Sequence, residues 1–232
     1  MKCLTLLVFA VAPVLAWAST RPLTTLRVAA EATVSQMPDR VYLDVGVRTD
    51  SRHSQAAASR NADLTSKVLA AVRRAAGPGA RLTTSNYSVV PQYRYDNDGR
   101  PPTLTGYEVS NVVRIRLNDL MRVAQVIDAA TVAGANLQHN LRFALRDPQA
   151  ARLRALARAA RRARADASTL AAALGLRIVR IVSARETGAA APPPSPRIYS
   201  QAVRMQPRAT PIEWSAIHVT AGVGLTVVAA PR

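Results

Sequence analysis

Between Tyr107 and Leu117 the chain alternates, Val112 apart. Tyr107, Val109, Asn111, Val113, Ile115 and Leu117 fall on one side of an extended backbone, and Glu108, Ser110, Arg114 and Arg116 on the other. Strand side chains alternate between faces, so a run this regular describes a strand with one face covered and the other turned to water. The residues before it complete a hairpin. The stretch Thr84 to Asn111 reads as two strands joined by a polar turn rich in Pro and Gly, and it holds four of the six tyrosines, Tyr87, Tyr93, Tyr95 and Tyr107. Tyrosines gathered on one hairpin supply large, stiff, amphipathic surface, suited to a packed sheet face or to a binding surface. Tyr87, Pro91, Tyr93, Tyr95, Gly106, Tyr107 and Asn111 are therefore the candidate interaction surface, with architecture as the competing reading.

The same reasoning orders the rest of the chain. Leu26 to Val34 and Val41 to Val47 alternate as strands about a turn at Met37-Pro38-Asp39. From Ser54 to Ala76 the period changes: Leu64, Val68, Val72 and Ala75 mark an amphipathic helix that stops at Gly77-Pro78-Gly79. After the hairpin, Asp119 can cap a helix carrying Leu120, Val123, Ile127 and Ala130 that stops at Gly134. A strand through Leu141, Phe143 and Leu145 follows. Asp147-Pro148 then opens a long helix, with Asp as cap and Pro at the first helical position. Leu153, Leu156, Ala160, Ala163, Ala167, Leu170 and Leu174 form the expected apolar stripe of that helix. Leu176 to Val182 is a short strand, 187–211 a Pro-rich extended loop, and Ile217 to Val227 a final alternating strand. The order ββαββαβαββ implies an α+β fold: a mixed, largely antiparallel sheet with helices packed on one face. The last strand must pair with strands far earlier, so residues 19–232 are expected to form a single domain.

The first residues carry a compartment signal. Lys2, an apolar run from Leu4 to Leu15 and Ala16-Trp17-Ala18 make a signal-peptide pattern over 1–18, with cleavage expected after Ala18 and delivery to the periplasm. Cleavage there also removes Cys3, the only cysteine, leaving neither a disulfide nor a thiol and excluding cysteine-based peroxidase chemistry. The remaining composition is dominated by bases: 31 Lys+Arg against 14 Asp+Glu, a formal charge of +17, with Lys2 and Lys67 the only lysines. Abundant Arg and Ala are what GC-rich codon usage favours; attraction to an anionic partner is the functional alternative. Arg154, Arg158, Arg161, Arg162 and Arg164 cluster opposite the expected stripe of the long helix. They form the candidate anion-contact face, a solvated helix surface being the plainer reading.

Catalytic patterns do not emerge. His53, His139 and His218 stand singly, without metal-ligand spacing, and no carboxylate lies beside them in sequence. Gly222-Val223-Gly224 lacks the third glycine and following helix of a dinucleotide loop. No catalytic residue, metal, cofactor, small-molecule substrate or specific nucleic acid is assigned. The expectation is a non-enzymatic protein acting through self-assembly or on another envelope protein. An anionic membrane surface and an unrecognised convergent hydrolase or oxidoreductase site are the alternatives.

Ordered motifs add a resemblance. Pro38-Asp39 opens a strand and Asn61 lies in the first helix. Thr84, Tyr87, Pro91, Tyr93, Tyr95, Gly106-Tyr107 and Asn111 follow, then Asp119-Leu120, Asp128, Ala133-Gly134-Ala135-Asn136, Phe143 and Ala173-Leu174-Gly175. In this order the chain resembles the SIMPL-domain proteins of bacterial envelopes. The resemblance implies a periplasmic location, an α+β domain and an association with tolerance of oxidative stress; it supplies no catalytic residues. Sacrificial oxidation of Met37, Met121 or Met205 would be one thiol-free route to such a role. The heavily Arg-decorated long helix departs from the pattern.

Overall fold

A computed structural model describes residues 23–95, 101–188 and 212–232. The expected leader at 1–18, most of the Pro-rich loop at 187–211 (Met205 included) and the tip of the hairpin lie outside the described residues.

The order of elements matches the sequence reading: β1 (Thr24–Gln36), β2 (Arg40–Ser51), α1 (Ser54–Ala76), β3 (Arg81–Arg94), β4 (Thr103–Leu117), α2 (Val123–Val132), β5 (Leu137–Ala144), α3 (Pro148–Ala173), β6 (Leu176–Thr187) and β7 (Ile217–Pro231). The α+β class holds, and every strand pairing is antiparallel. The strands divide between two sheets, β1-β7-β6 and β3-β4-β2-β5, each backed by helices on one face. Local alternation marks a strand but not its partner, so the division was not visible along the chain.

In the four-stranded sheet the inward residues Val41, Leu43, Val45 and Val47 of β2 meet Ile115 and Leu117 of β4 beneath Val68 and Val72 of α1 and Val123 and Val126 of α2. Two of the buried positions on α1, Asn61 and Thr65, are polar. Asn61 is fully buried and donates to the carbonyls of Val47 and Val109 at 2.8 and 3.0 Å, while its oxygen accepts from Thr65. This amide ties the helix to two neighbouring strands.

Two other motif residues have comparable duties. The Asn136 side chain bonds both the N–H and the carbonyl of Arg48, prolonging the β5 ladder by one step. Asp39 accepts from the Arg146 N–H at 2.6 Å, and its own N–H donates to Ala144, pinning the turn between β1 and β2 to the start of α3. Capping follows the sequence: Asp119 accepts from the Met121 N–H and Asp147 from the Ala150 N–H.

The long helix corrects one expectation. Its buried face is Ala151, Ala155, Ala159, Ala163, Ala167 and Ala171, whereas Leu153, Leu170 and Leu174 are 52, 39 and 56 % exposed and Ala160 is exposed. A stripe drawn parallel to the axis mixes spacings of three and four; the contact instead follows a single i, i+4 ridge, inclined to the axis. Six small residues along that ridge bring the helix close to the sheet, where Leu26, Ala30, Val223, Leu225, Val227 and Ala229 fill the space. The two halves are joined from the other end as well, since Trp214, just before β7, packs on Phe143 of β5 at 5.7 Å between ring centroids.

Candidate functional site

The hairpin of β3 and β4 forms one side of the four-stranded sheet. β3 bonds only to β4, so its other edge is open among the described residues. Tyr87, Val89, Val90, Tyr93 and Tyr95 on it are 43 to 74 % exposed. By register Tyr87 lies opposite Asn111, Pro91 opposite Tyr107, and Tyr93 opposite Leu104 past a bulge. The predicted interaction surface therefore divides in two. Tyr87, Pro91, Tyr93 and Tyr95 are exposed; Gly106 is buried, and Tyr107 and Asn111 are half-buried. Gly106 is there for space, since a Cβ would sit 2.8 Å from the Ser51 carbonyl oxygen.

The five arginines of the predicted anion face on α3 are all exposed. Arg154 bonds the side chain of Gln36 on β1, and the other four make no ion pair among the described residues. They share a helix surface and converge on nothing.

A third arrangement lies on the outer face of the four-stranded sheet. Asp44 of β2 is 2 % exposed and receives a fork from Arg114 of β4, Nε and Nη2 each at 2.8 Å. Asn140 completes it with a bond of 3.0 Å, its backbone at φ 57°, a left-handed turn that Asn tolerates better than most residues. The Arg114 fork, helped by Asn140, holds the Asp44 carboxyl below its ordinary value against the opposing effect of burial. Beside the pair is an open hollow of about 430 Å³, lined by Arg48, Asn86, Ser110, Val112 and His139 among others. Gly46, between Asp44 and Arg48 on the same strand, admits no side chain, because a Cβ would stand 2.6 Å from the Asn111 carbonyl oxygen.

His139 and Asp44 thus share one hollow, but the carboxylate is engaged by Arg114 and Asn140. His218 is elsewhere, bonded to Ser35 at 2.9 Å. No group of three or more His, Cys, Asp or Glu that could hold a metal occurs among the described residues. Sequence reading missed Asp44 and Arg114 because their partnership exists only once β2 and β4 are in register. The available signal was a lone acid among outward positions, opposite an arginine-bearing strand.

Two antiparallel sheets, one backed by α3 and the other by α1 and α2, with a tyrosine-bearing hairpin whose edge is open among the described residues, define the α+β class. The SIMPL family model, described as a protein of unknown function (DUF541), matches residues 26–227, and the chain belongs to that family. It is 30 % identical over 164 residues to the 26 kDa periplasmic immunogenic protein of Brucella melitensis biotype 1, covering 69 % of this chain and 66 % of that protein. The protein of the same name in Brucella abortus strain S19 matches to the same extent. The alignment thus spans a little under two thirds of these relatives' own length. The uncharacterized protein YggE of Edwardsiella ictaluri is 25 % identical over 172 residues, 74 % of this chain and 72 % of that one. The Brucella relatives are periplasmic by name, and no described helix of this chain is long and apolar enough to cross a membrane.

Proposed function

We propose that this is a non-enzymatic periplasmic protein that works by self-assembly, a second copy pairing along the open edge of β3. One observation carries the reading. β3 runs without a charged residue from Leu82 to Gln92 and leaves Tyr87, Val89 and Val90 exposed. An edge of this kind is a template for strand addition. The contrast with β6 supports it: that edge strand also exposes Val179, Ile181 and Val182, but Arg177, Arg180, Arg185 and Glu186 punctuate it, the usual protection of an edge left unpaired. Pro91 interrupts the donor row of β3, so a partner strand pairs best on its N-terminal side.

Light scattering on residues 19–232 is the test. A species larger than the monomer is expected, shifted toward the monomer when Tyr87 and Val89, on that side of Pro91, are changed to Lys. A wild-type chain that remains strictly monomeric at all concentrations overturns the reading, and co-purification with a different envelope protein would move the pairing to a hetero-complex. The association with oxidative-stress tolerance belongs to this proposal too, with the family resemblance as its support. Met37 and Met121, 55 and 76 % exposed, are accessible to oxidant. A second reading, contact with an anionic membrane surface through α3, is favoured by the exposed arginines Arg158, Arg161, Arg162 and Arg164, which make no ion pair among the described residues.

A further inference from the structure

The register of the outer sheet face places arginines where strands ordinarily avoid them. Across one row stand Arg81 of β3, Arg116 of β4 and Tyr42 of β2, each directly opposite the next, and then Arg142 of β5. Arg81 and Arg116 are like charges directly opposed, which destabilises a sheet unless something lies between them. Neither makes an ion pair among the described residues, and Arg142 lies over the Tyr42 ring at 4.8 Å instead of on a carboxylate. In the next row Arg114 bears on the same corner, and the only acid there, Asp44, is already engaged by the Arg114 fork and Asn140. The Nε of Arg116 adds an independent mark: it is buried without an acceptor among the described residues. An N–H so placed carries the full desolvation penalty of an unmade hydrogen bond.

We infer that the row Arg81–Arg116, flanked by Arg114 and Tyr42, is a binding site for a phosphate-type oxyanion. Such a group would bridge the opposed guanidinium ions and draw the Arg116 side chain round by a modest rotation, supplying its Nε with an acceptor. Guanidinium forks match the oxygens of phosphate in both geometry and charge. Tyr42, stacked by Arg142 in the same row, would offer its hydroxyl as a further donor to the anion. The Asp44 fork sets the position of Arg114 and leaves Nη1 uncommitted to the carboxylate. Rigidity separates this place from the α3 arginines. These side chains rise from neighbouring strands about 5 Å apart, whereas those of α3 spread over a convex helix.

Phosphate in this form has two sources, the free ion and a phospholipid head group, and the test separates them. Inorganic phosphate is titrated into the chain by calorimetry, with chloride at matched ionic strength as the reference. In parallel, vesicles of phosphatidylglycerol and phosphatidylcholine are co-sedimented with the chain, with and without competing phosphate. Arg116→Gln and the more exposed Arg81→Gln should each weaken binding about tenfold or more. Arg60→Gln, at an exposed position of α1 outside both arginine surfaces, should leave it unchanged. Phosphate binding without vesicle binding supports the site with the free ion as ligand; vesicle binding that phosphate displaces supports it with the head group. Absence of both overturns the inference, as does binding that survives Arg116→Gln and Arg81→Gln. So does vesicle binding lost only with Arg158→Gln.

Discussion

The two helix-backed sheets solve the same packing problem by opposite means. Beneath α3 the buried contacts are apolar: an alanine ridge rests on Leu, Val and Ala of β1 and β7, with no buried polar side chain among them. Beneath α1 the helix sits over larger valines and leucines, and a buried amide, Asn61, fixes its position through directed bonds. Closeness does the positioning in one half and hydrogen-bond geometry in the other. The half with directed bonds is also the half whose outer face carries Asp44, Arg114 and the arginine row.

Changes that exchange the two strategies sharpen this contrast. The largest effect is expected for Asn61→Ala, which withdraws a donor from two strand carbonyls and the acceptor from Thr65; denaturant unfolding should show a loss of about 3 kcal/mol. Ala163→Leu places bulk into the close contact under α3 and should cost about 2 kcal/mol by the same measurement. A neutral result would mean that the ridge is looser than its burial indicates. Asp44→Asn should cost about 1–2 kcal/mol at neutral pH. Because the folded-state pKa of Asp44 is lowered, its contribution is complete above the ordinary carboxylate value of about 4 and is lost as pH falls through the folded value. The unfolding midpoints of wild type and Asp44→Asn should therefore converge in acid; a constant gap would show that the Arg114 fork contributes nothing through charge. Leu153→Ala completes the series with the smallest effect, below about 0.5 kcal/mol, since that side chain is 52 % exposed.

Much of the fold was legible because each element declares its own period. The strands and both faces of β4 followed from alternation, and the caps at Asp119 and Asp147 followed from residue type. Two kinds of information did not travel along the chain. One was strand partnership, which decides that there are two sheets and that Asp44 meets Arg114. The other was the inclination of a helix to its sheet. Leucines are the stronger apolar signal, so an axial stripe through Leu153, Leu170 and Leu174 outranked the alanine ridge that packs. For the site, the hairpin tyrosines stood out by composition alone. The opposed pair Arg81 and Arg116 lies 35 positions apart in numbering and becomes adjacent only in the register of β3 with β4.

The pairing of β1 with β7 bears on the order in which the chain acquires structure. Thr33 and Thr220, bonded at 2.8 Å, are 187 residues apart, and all thirteen steps of that ladder join residues 181 to 205 positions apart. The four-stranded sheet closes within Arg40–Ala144, by hairpin and short crossover. Loop closure over long separations is slow, so the local sheet is set to form first and to present Asp39 and the start of α3 as a platform. Until β7 arrives, β1 and β6 lack the strand that joins them, and the alanine ridge meets only part of its sheet. During that interval the three-stranded half is the part of the molecule open to mispairing.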